Sequence, residues 1–253
     1  MANLDVARRE RSGLGAQRLG LLAFGMAIAT LVAAQAPATL SGLESGERQL
    51  EDGRSTLDEA TLVAARKMLD ECVRQSGKDS RCYYDLARTD YYLERVKELQ
   101  KDNKAAEREL DSAVENARRA IDLDDRSSDA HALLADLYGM KIGLGGMFTG
   151  MKYGPKANAE SERAFQLDAN NPRAHAVAGR KYLFGGDLGK AIESFQKATT
   201  LNQHFDEAFV WLAIAYRKQG DAQRAQAALS EALRLNSRSA FARRTQSESD
   251  QVK

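Results

Sequence analysis

β-Branched side chains are scarce in this chain. Ile, Val and Thr together supply 23 of 253 residues, against 41 Ala, a balance that starves a β-sheet and suits packed helices. From Lys78 to Tyr138 there is neither Gly nor Pro, so that stretch lacks the residues that make most β-turns. The expected fold is all-α. An excess of one charge is missing too, with 37 basic residues against 36 acidic ones spread through the chain. That balance argues against a nucleic-acid binder, whose footprint is a basic face. Chemistry-bearing residues are few: two Cys and three His. With 43% hydrophobic and 29% charged residues, most of the chain can bury a core and is not disordered.

Residues 1–38 read as an export signal. Arg8, Arg9, Arg11 and Arg18 precede an uncharged apolar run of 16 residues, Leu19 to Ala34, followed by small residues. A bilayer-spanning helix needs roughly 20 apolar residues, so the run is short for a membrane span. Cleavage is expected before Gln35 or before Thr39, and the long basic segment leaves an uncleaved anchor as the alternative. No Cys follows the run, so a lipoprotein is not indicated.

The chain repeats itself with a period of 34. Gly179, Tyr182, Gly186-Asp187, Ala191, Phe195 and Ala198 recur as Ala213, Tyr216, Gly220-Asp221, Ala225, Leu229 and Ala232. A third copy runs from Asp129 and Ala135 to Ala157 and Ala164, its second half displaced by ten residues. In a fourth, Arg81 to Ala87 lead to Ala113, Ala117 and Ala120, and two lengthened helices break near Lys101 to Lys104. Ser41 to Ser76 form a degenerate fifth pair, with Asp52-Gly53 as its turn and Leu62, Ala65, Met68, Leu69 and Cys72 on its second helix.

This pattern resembles the tetratricopeptide repeat (TPR), a helix-turn-helix unit with large, small and aromatic residues at set positions. Small residues at positions 8 and 20 let the paired helices approach, and Gly-Asp closes the turn between them. The resemblance covers residues 41–237 and implies an all-α solenoid of about five such pairs forming a right-handed superhelix. The divisions expected are 1–38 signal or anchor, 41–127 elongated degenerate pairs, 128–171 a repeat with a Gly/Met-rich insertion over 139–155, 172–205 and 206–239 regular repeats, and 240–253 a cap and flexible tail. The inner wall of such a stack comes mainly from first helices. Carrying over the family's ligand-facing positions gives Asp129 and Asp136, then Arg173, Arg180, Leu183 and Phe184, then Glu207, Ile214, Arg217 and Lys218 as partner-binding candidates. A solvated charged face is the bland alternative for the four cations. The Lys and Asn clamp of the chaperone-tail-binding subgroup is not matched, since Ala176 and Arg180 stand in its place.

Three further features could carry chemistry. Cys72 and Cys82 fall at the joint between two helices; in a reducing compartment they are two buried hydrophobes, but in an exported chain they suggest a disulfide. His131 and His175 occupy position 4 of successive repeats, where a core role is favoured over a metal pair, and His204 lies in a loop. The stretch from Gly139 to Pro155 holds six Gly and three of the six Met. Its Gly145 and Gly150 have P-loop spacing, but Met151 stands where Lys is required, so phosphate cradling is rejected. It reads either as an elongated helix with a Gly-rich return loop whose Met140, Ile142, Met147, Phe148 and Met151 pack on neighbouring repeats, or as a flexible apolar lip.

No catalytic constellation, cofactor motif or metal cluster is visible, and the chain is not expected to be an enzyme. The function expected is a protein- or peptide-binding scaffold of the cell envelope, periplasmic or secreted. The alternative is an inner-membrane-anchored structural component of an envelope assembly, or an accessory subunit of an enzyme. Membrane contact is expected only if the signal segment is uncleaved.

Overall fold

The computed structural model describes residues 36–145 and 147–250. Among them are eleven helices and no strand: α1 (Ala36–Thr56), α2 (Glu59–Ser76), α3 (Ser80–Leu99), α4 (Asn103–Leu123), α5 (Ser128–Leu144), α6 (Met147–Leu167), α7 (Pro172–Phe184), α8 (Leu188–Leu201), α9 (Asp206–Gln219), α10 (Ala222–Leu235) and α11 (Ala240–Asp250). Consecutive helices form five hairpins from α1/α2 to α9/α10, and α11 packs on the last. The fold is the all-α solenoid that the repeats imply. The expected signal lies outside the described residues except for its last three, which begin α1. No helix among the described residues is long and apolar enough to cross a membrane.

An acidic cap and a left-handed residue mark the turns. In α3/α4, α7/α8 and α9/α10 the backbone N–H of Asp102, Asp187 and Asp221 donates back to the carbonyl of Lys97, Tyr182 and Tyr216, at 3.0, 2.9 and 3.0 Å. This is the six-residue closure of a Schellman turn, which needs a left-handed residue just before its donor. Lys101 (φ 62°), Gly186 (φ 84°) and Gly220 (φ 89°) fill that place. Each Asp carboxylate then accepts from a backbone N–H of the next helix's first turn, those of Ala105, Lys190 and Arg224.

The first hairpin turns later than the Asp52-Gly53 pair suggests. Gly53 lies inside α1, where a Cβ would stand 2.8 Å from the Leu62 side chain. Its glycine serves close packing of α1 on α2, and the chain turns instead at Leu57 (φ 51°), with Asp58 capping α2. Met68, expected on the packed face of α2, is exposed.

The small positions explain each other. A Cβ on Gly179 would meet the Phe195 ring at 2.6 Å, whereas the next repeat sets Ala213 against Leu229 in the same core. The larger residue on the second helix removes room on the first.

The insertion is helical, not a return loop. α5 and α6 have 17 and 21 residues, against 14 each for α9 and α10, and Pro155 sits inside α6. Tyr138 stacks on Tyr153 at 5.5 Å and Lys141 pairs with Asp111 at 2.5 Å. The ring contact joins the two extensions and the ion pair ties α5 to α4, both acting against the helix cost of glycine, about 1 kcal/mol each. Met140 packs with this base, but Met147, Phe148 and Met151 are exposed, contrary to the packed-loop expectation. At the C-terminus α11 buries Ala242 and lays Phe241 against Trp211 at 5.2 Å, and residues 251–253 lie outside the described residues.

Candidate functional site

One face of α3, α5, α7 and α9 meets the end of α1 in a cluster of charged and aromatic side chains. Arg54 of α1 reaches across to α9, with Nη1 donating to Asp206 Oδ1 at 3.0 Å and to Glu207 Oε1 at 3.3 Å. The Tyr92 hydroxyl donates to the same Glu207 oxygen at 2.9 Å. Arg180 pairs with Asp136 and donates to the Tyr91 hydroxyl at 2.9 Å, while its guanidinium lies 5.5 Å from the Trp211 ring. Arg88 pairs with Glu51 and, at 2.9 Å, with Asp85. Asn236 ties the rim by donating to Ser55 Oγ at 3.2 Å and to Asp206 Oδ2 at 2.8 Å. The stack therefore curls until its first hairpin touches its last.

Burial sets the protonation states. It pushes the Glu207 carboxyl up, but Arg54, the Tyr92 hydroxyl, Arg173 and Arg180 outweigh it and hold the group below the usual carboxylate range. Burial raises Asp136, with Arg180 opposing. It also raises Tyr91 and Tyr92, which keeps both phenols protonated, Tyr92 donating to Glu207 and Tyr91 accepting from Arg180. At the centre is a cavity of about 20 Å³ lined by Arg88, Tyr91, Tyr92, Asp136, Arg173, Arg180, Glu207 and Trp211, among others. That is room for one small polar group. Three guanidiniums face two carboxylates there, and the buried Nε–H groups of Arg88, Arg173 and Arg180 make no hydrogen bond.

Of the residues expected on the wall, Asp136, Arg173, Arg180 and Glu207 converge on this cavity. Asp129 lies at its edge, accepting from Asn171 at 3.0 Å and standing 3.7 Å from Arg173. Leu183 follows Arg180 by three residues along α7 but is buried in the C-terminal core and offers no exposed surface to the wall. Phe184 is exposed beside Trp211, with ring centres 6.1 Å apart. Ile214 packs on the C-terminal core. Arg217 is taken by α11, donating to Ser249 Oγ at 2.6 Å, and Lys218 is exposed at the end of α9. The four cations are thus not one solvated face.

Sequence reasoning misses Arg54, Arg88, Tyr91 and Tyr92. A signal for three of them exists. Positions 9, 12 and 13 of the repeat, carried onto α3, fall on Arg88, Tyr91 and Tyr92.

The histidines are structural. His131 Nε2 lies 3.2 Å from the Asp125 carbonyl and His175 Nε2 lies 3.1 Å from the Ala169 carbonyl, six residues upstream in both repeats. Each ties its helix to the loop before it, and His131 also meets Glu160 at 2.6 Å. Cys72 and Cys82 are disulfide-bonded, with Cα atoms 6.0 Å apart, at the α2–α3 joint. Among the described residues no group of His, Cys, Asp and Glu is placed to hold a metal ion.

This architecture defines an α-solenoid with a charged and aromatic inner wall. More particularly, residues 185–243 match the family model described as tetratricopeptide repeat. The fold is similar to that of TTC0263, a thermophilic TPR protein of Thermus thermophilus, at 20% identity and a TM-score of 0.61, over 80% of this chain and 97% of that one. It is also similar to a chain of the APC/C hetero-tetramer Cut9-Hcn1, at 18% identity and a TM-score of 0.53, over 80% of this chain and 39% of that one. No curated protein matches the sequence.

Proposed function

We propose that the chain is a non-enzymatic binding scaffold of the cell envelope whose inner wall holds an acidic group of a protein or peptide partner. The observation that carries this reading is the cavity lining, three guanidiniums against two carboxylates, with a buried Nε–H on each guanidinium that makes no hydrogen bond. Charge-assisted bonds from Arg suit a planar carboxylate. Trp211 and the exposed Phe184 beside it offer an apolar flank for the residues around that group. No nucleophile stands beside a base in this cluster, and its carboxylates are occupied by ion pairs.

Arg173 is the position that tests the reading, because its one ion pair is long, 3.7 Å to Asp129, and its loss spares the Arg180–Asp136 pair. Arg173→Glu should abolish partner capture while leaving helix content unchanged. Equal capture by the variant would remove the site from this wall. An envelope location is supported by the basic and apolar N-terminal segment together with the disulfide. Mass spectrometry of the mature protein should find Gln35 or Thr39 first. An intact N-terminus would favour the second reading, an inner-membrane-anchored component, for which the long basic segment speaks.

A further inference from the structure

Eight large hydrophobic side chains are exposed among the described residues, and four of them, Leu144 (54%), Met147 (78%), Phe148 (85%) and Met151 (71%), lie at the turn between α5 and α6. A Cβ added at Gly143 or Gly154 would meet no atom within 4 Å. α6 exceeds α8 by seven residues (21 against 14), which carries its start about 10 Å beyond the turn of the neighbouring hairpin.

The charges around this end have one sign. From Leu137 to Ala159 the ionisable groups of acid or base character are Lys141, Lys152 and Lys156, with no Asp or Glu. Lys141 is paired with Asp111 at the base. The other two are exposed and flank the Tyr153 ring at 4.9 and 5.9 Å. Along α6, Phe148, Lys152 and Lys156 are spaced i, i+4, i+8, so they form one row on the helix. With Phe148 at the tip, the two ammonium groups follow about 6 and 12 Å behind it. An apolar tip with Lys and Tyr one and two turns back has the depth profile of the bilayer interface, where apolar side chains sink about 5–10 Å and cations remain at headgroup level.

We propose that the α5–α6 tip docks on an anionic lipid surface, with Leu144, Met147, Phe148 and Met151 inserted and Lys152 and Lys156 at the lipid phosphates. This contact is separate from the inner wall and does not depend on the N-terminal segment. It would present the solenoid tip-first to the membrane.

An environment-sensitive dye attached to the full chain at Phe148→Cys, with Gln226→Cys on α10 as control, reads the contact directly. The probes are vesicles of phosphatidylcholine mixed with phosphatidylglycerol, and vesicles of phosphatidylcholine alone. A blue shift at position 148 but not at 226, on mixed vesicles, and quenching by a lipid-borne quencher are expected. Lys152→Glu with Lys156→Glu should weaken this binding by more than about tenfold, since each cation near an anionic surface contributes roughly fivefold. Absence of the shift would overturn the proposal. So would a shift that survives charge reversal, or one that appears without vesicles as protein concentration rises, which would assign the tip to a second copy of the chain.

Discussion

In α7/α8 and α9/α10 the helices are joined by apolar contacts: Phe195 beneath Gly179, Leu229 in one core with Ala213, and Trp211 stacked on Phe195 and tilted against Phe241. In α1 to α4 polar groups do much of that work. Asp90, buried on α3, pairs with Arg66 of α2 at 2.6 Å and accepts from Ser112 and Asn116 of α4 at 2.6 and 2.8 Å. Lys97 joins Glu59 at 2.5 Å, and the Cys72–Cys82 bridge closes the α2–α3 joint. Apolar packing through small and large positions leaves a periodic trace in the sequence, and the repeat is plain there. Ion pairs between particular residues leave none, which is why the N-terminal hairpins look degenerate although they fold in the same way.

Substitutions in both halves sharpen this contrast. The largest effect is expected at Glu94, a buried α3 carboxyl with one oxygen unpaired. Burial, followed by the opposing Arg95 and the repelling Glu98 and Asp136, raises it from 4.5 to about 7. A folded-state value above the unfolded one gives stability that is complete below about pH 4.5 and lost as pH rises through about 7. Glu94→Gln should therefore stabilise the protein by roughly 3 kcal/mol at pH 8 and by little at pH 4.5. Denaturant melts across that range check it, and a gap independent of pH would contradict the assignment.

Opening the bridge with Cys72→Ala and Cys82→Ala should cost about 2–3 kcal/mol. Thermal melts with and without reductant give the same comparison, and two titratable thiols in protein purified under non-reducing conditions would show that no bridge forms. In the apolar half, Gly179→Ala should cost about 1–3 kcal/mol by driving a methyl group into Phe195. Adding Phe195→Leu rebuilds the Ala213–Leu229 arrangement, so the double variant should be more stable than the sum of the singles by about 1 kcal/mol. Strict additivity would show that the two positions do not touch. The smallest effect is at the turns: Lys101→Gly should stabilise by up to about 1 kcal/mol, because Lys101 holds a left-handed conformation that glycine adopts freely. Gly220→Ala, the reciprocal change, should destabilise by a similar amount.

The same division decides what can be read from the sequence. The helix pairs, the break at Lys101, the capping Asp residues and the burial of His131 follow from local rules or from the repeat, whereas His175, at the same repeat position, is only half-buried. The first turn is misplaced from sequence because Gly53 reads as punctuation when it serves contact with Leu62. The α5–α6 extension reads as a loop because Gly and Pro155 outweigh local helix preference, whereas the stacking of Tyr153 on Tyr138 holds the two helices together across the turn. On the inner wall, repeat register places Asp136, Arg173, Arg180 and Glu207. The closure of Arg54 onto Asp206 and Glu207 joins residues more than 150 positions apart, and only the curvature of the whole stack brings them together.

Site-directed photocrosslinking in living cells tests the binding-wall account most directly. A benzophenone side chain at Phe184, beside Trp211 on the wall, should give a discrete crosslinked product that disappears when Arg173→Glu is added. The same group at Gln226, on the outer face of α10, should give none. A product of equal yield from Gln226, or one from Phe184 indifferent to Arg173→Glu, would contradict the assignment of the inner wall as the partner site.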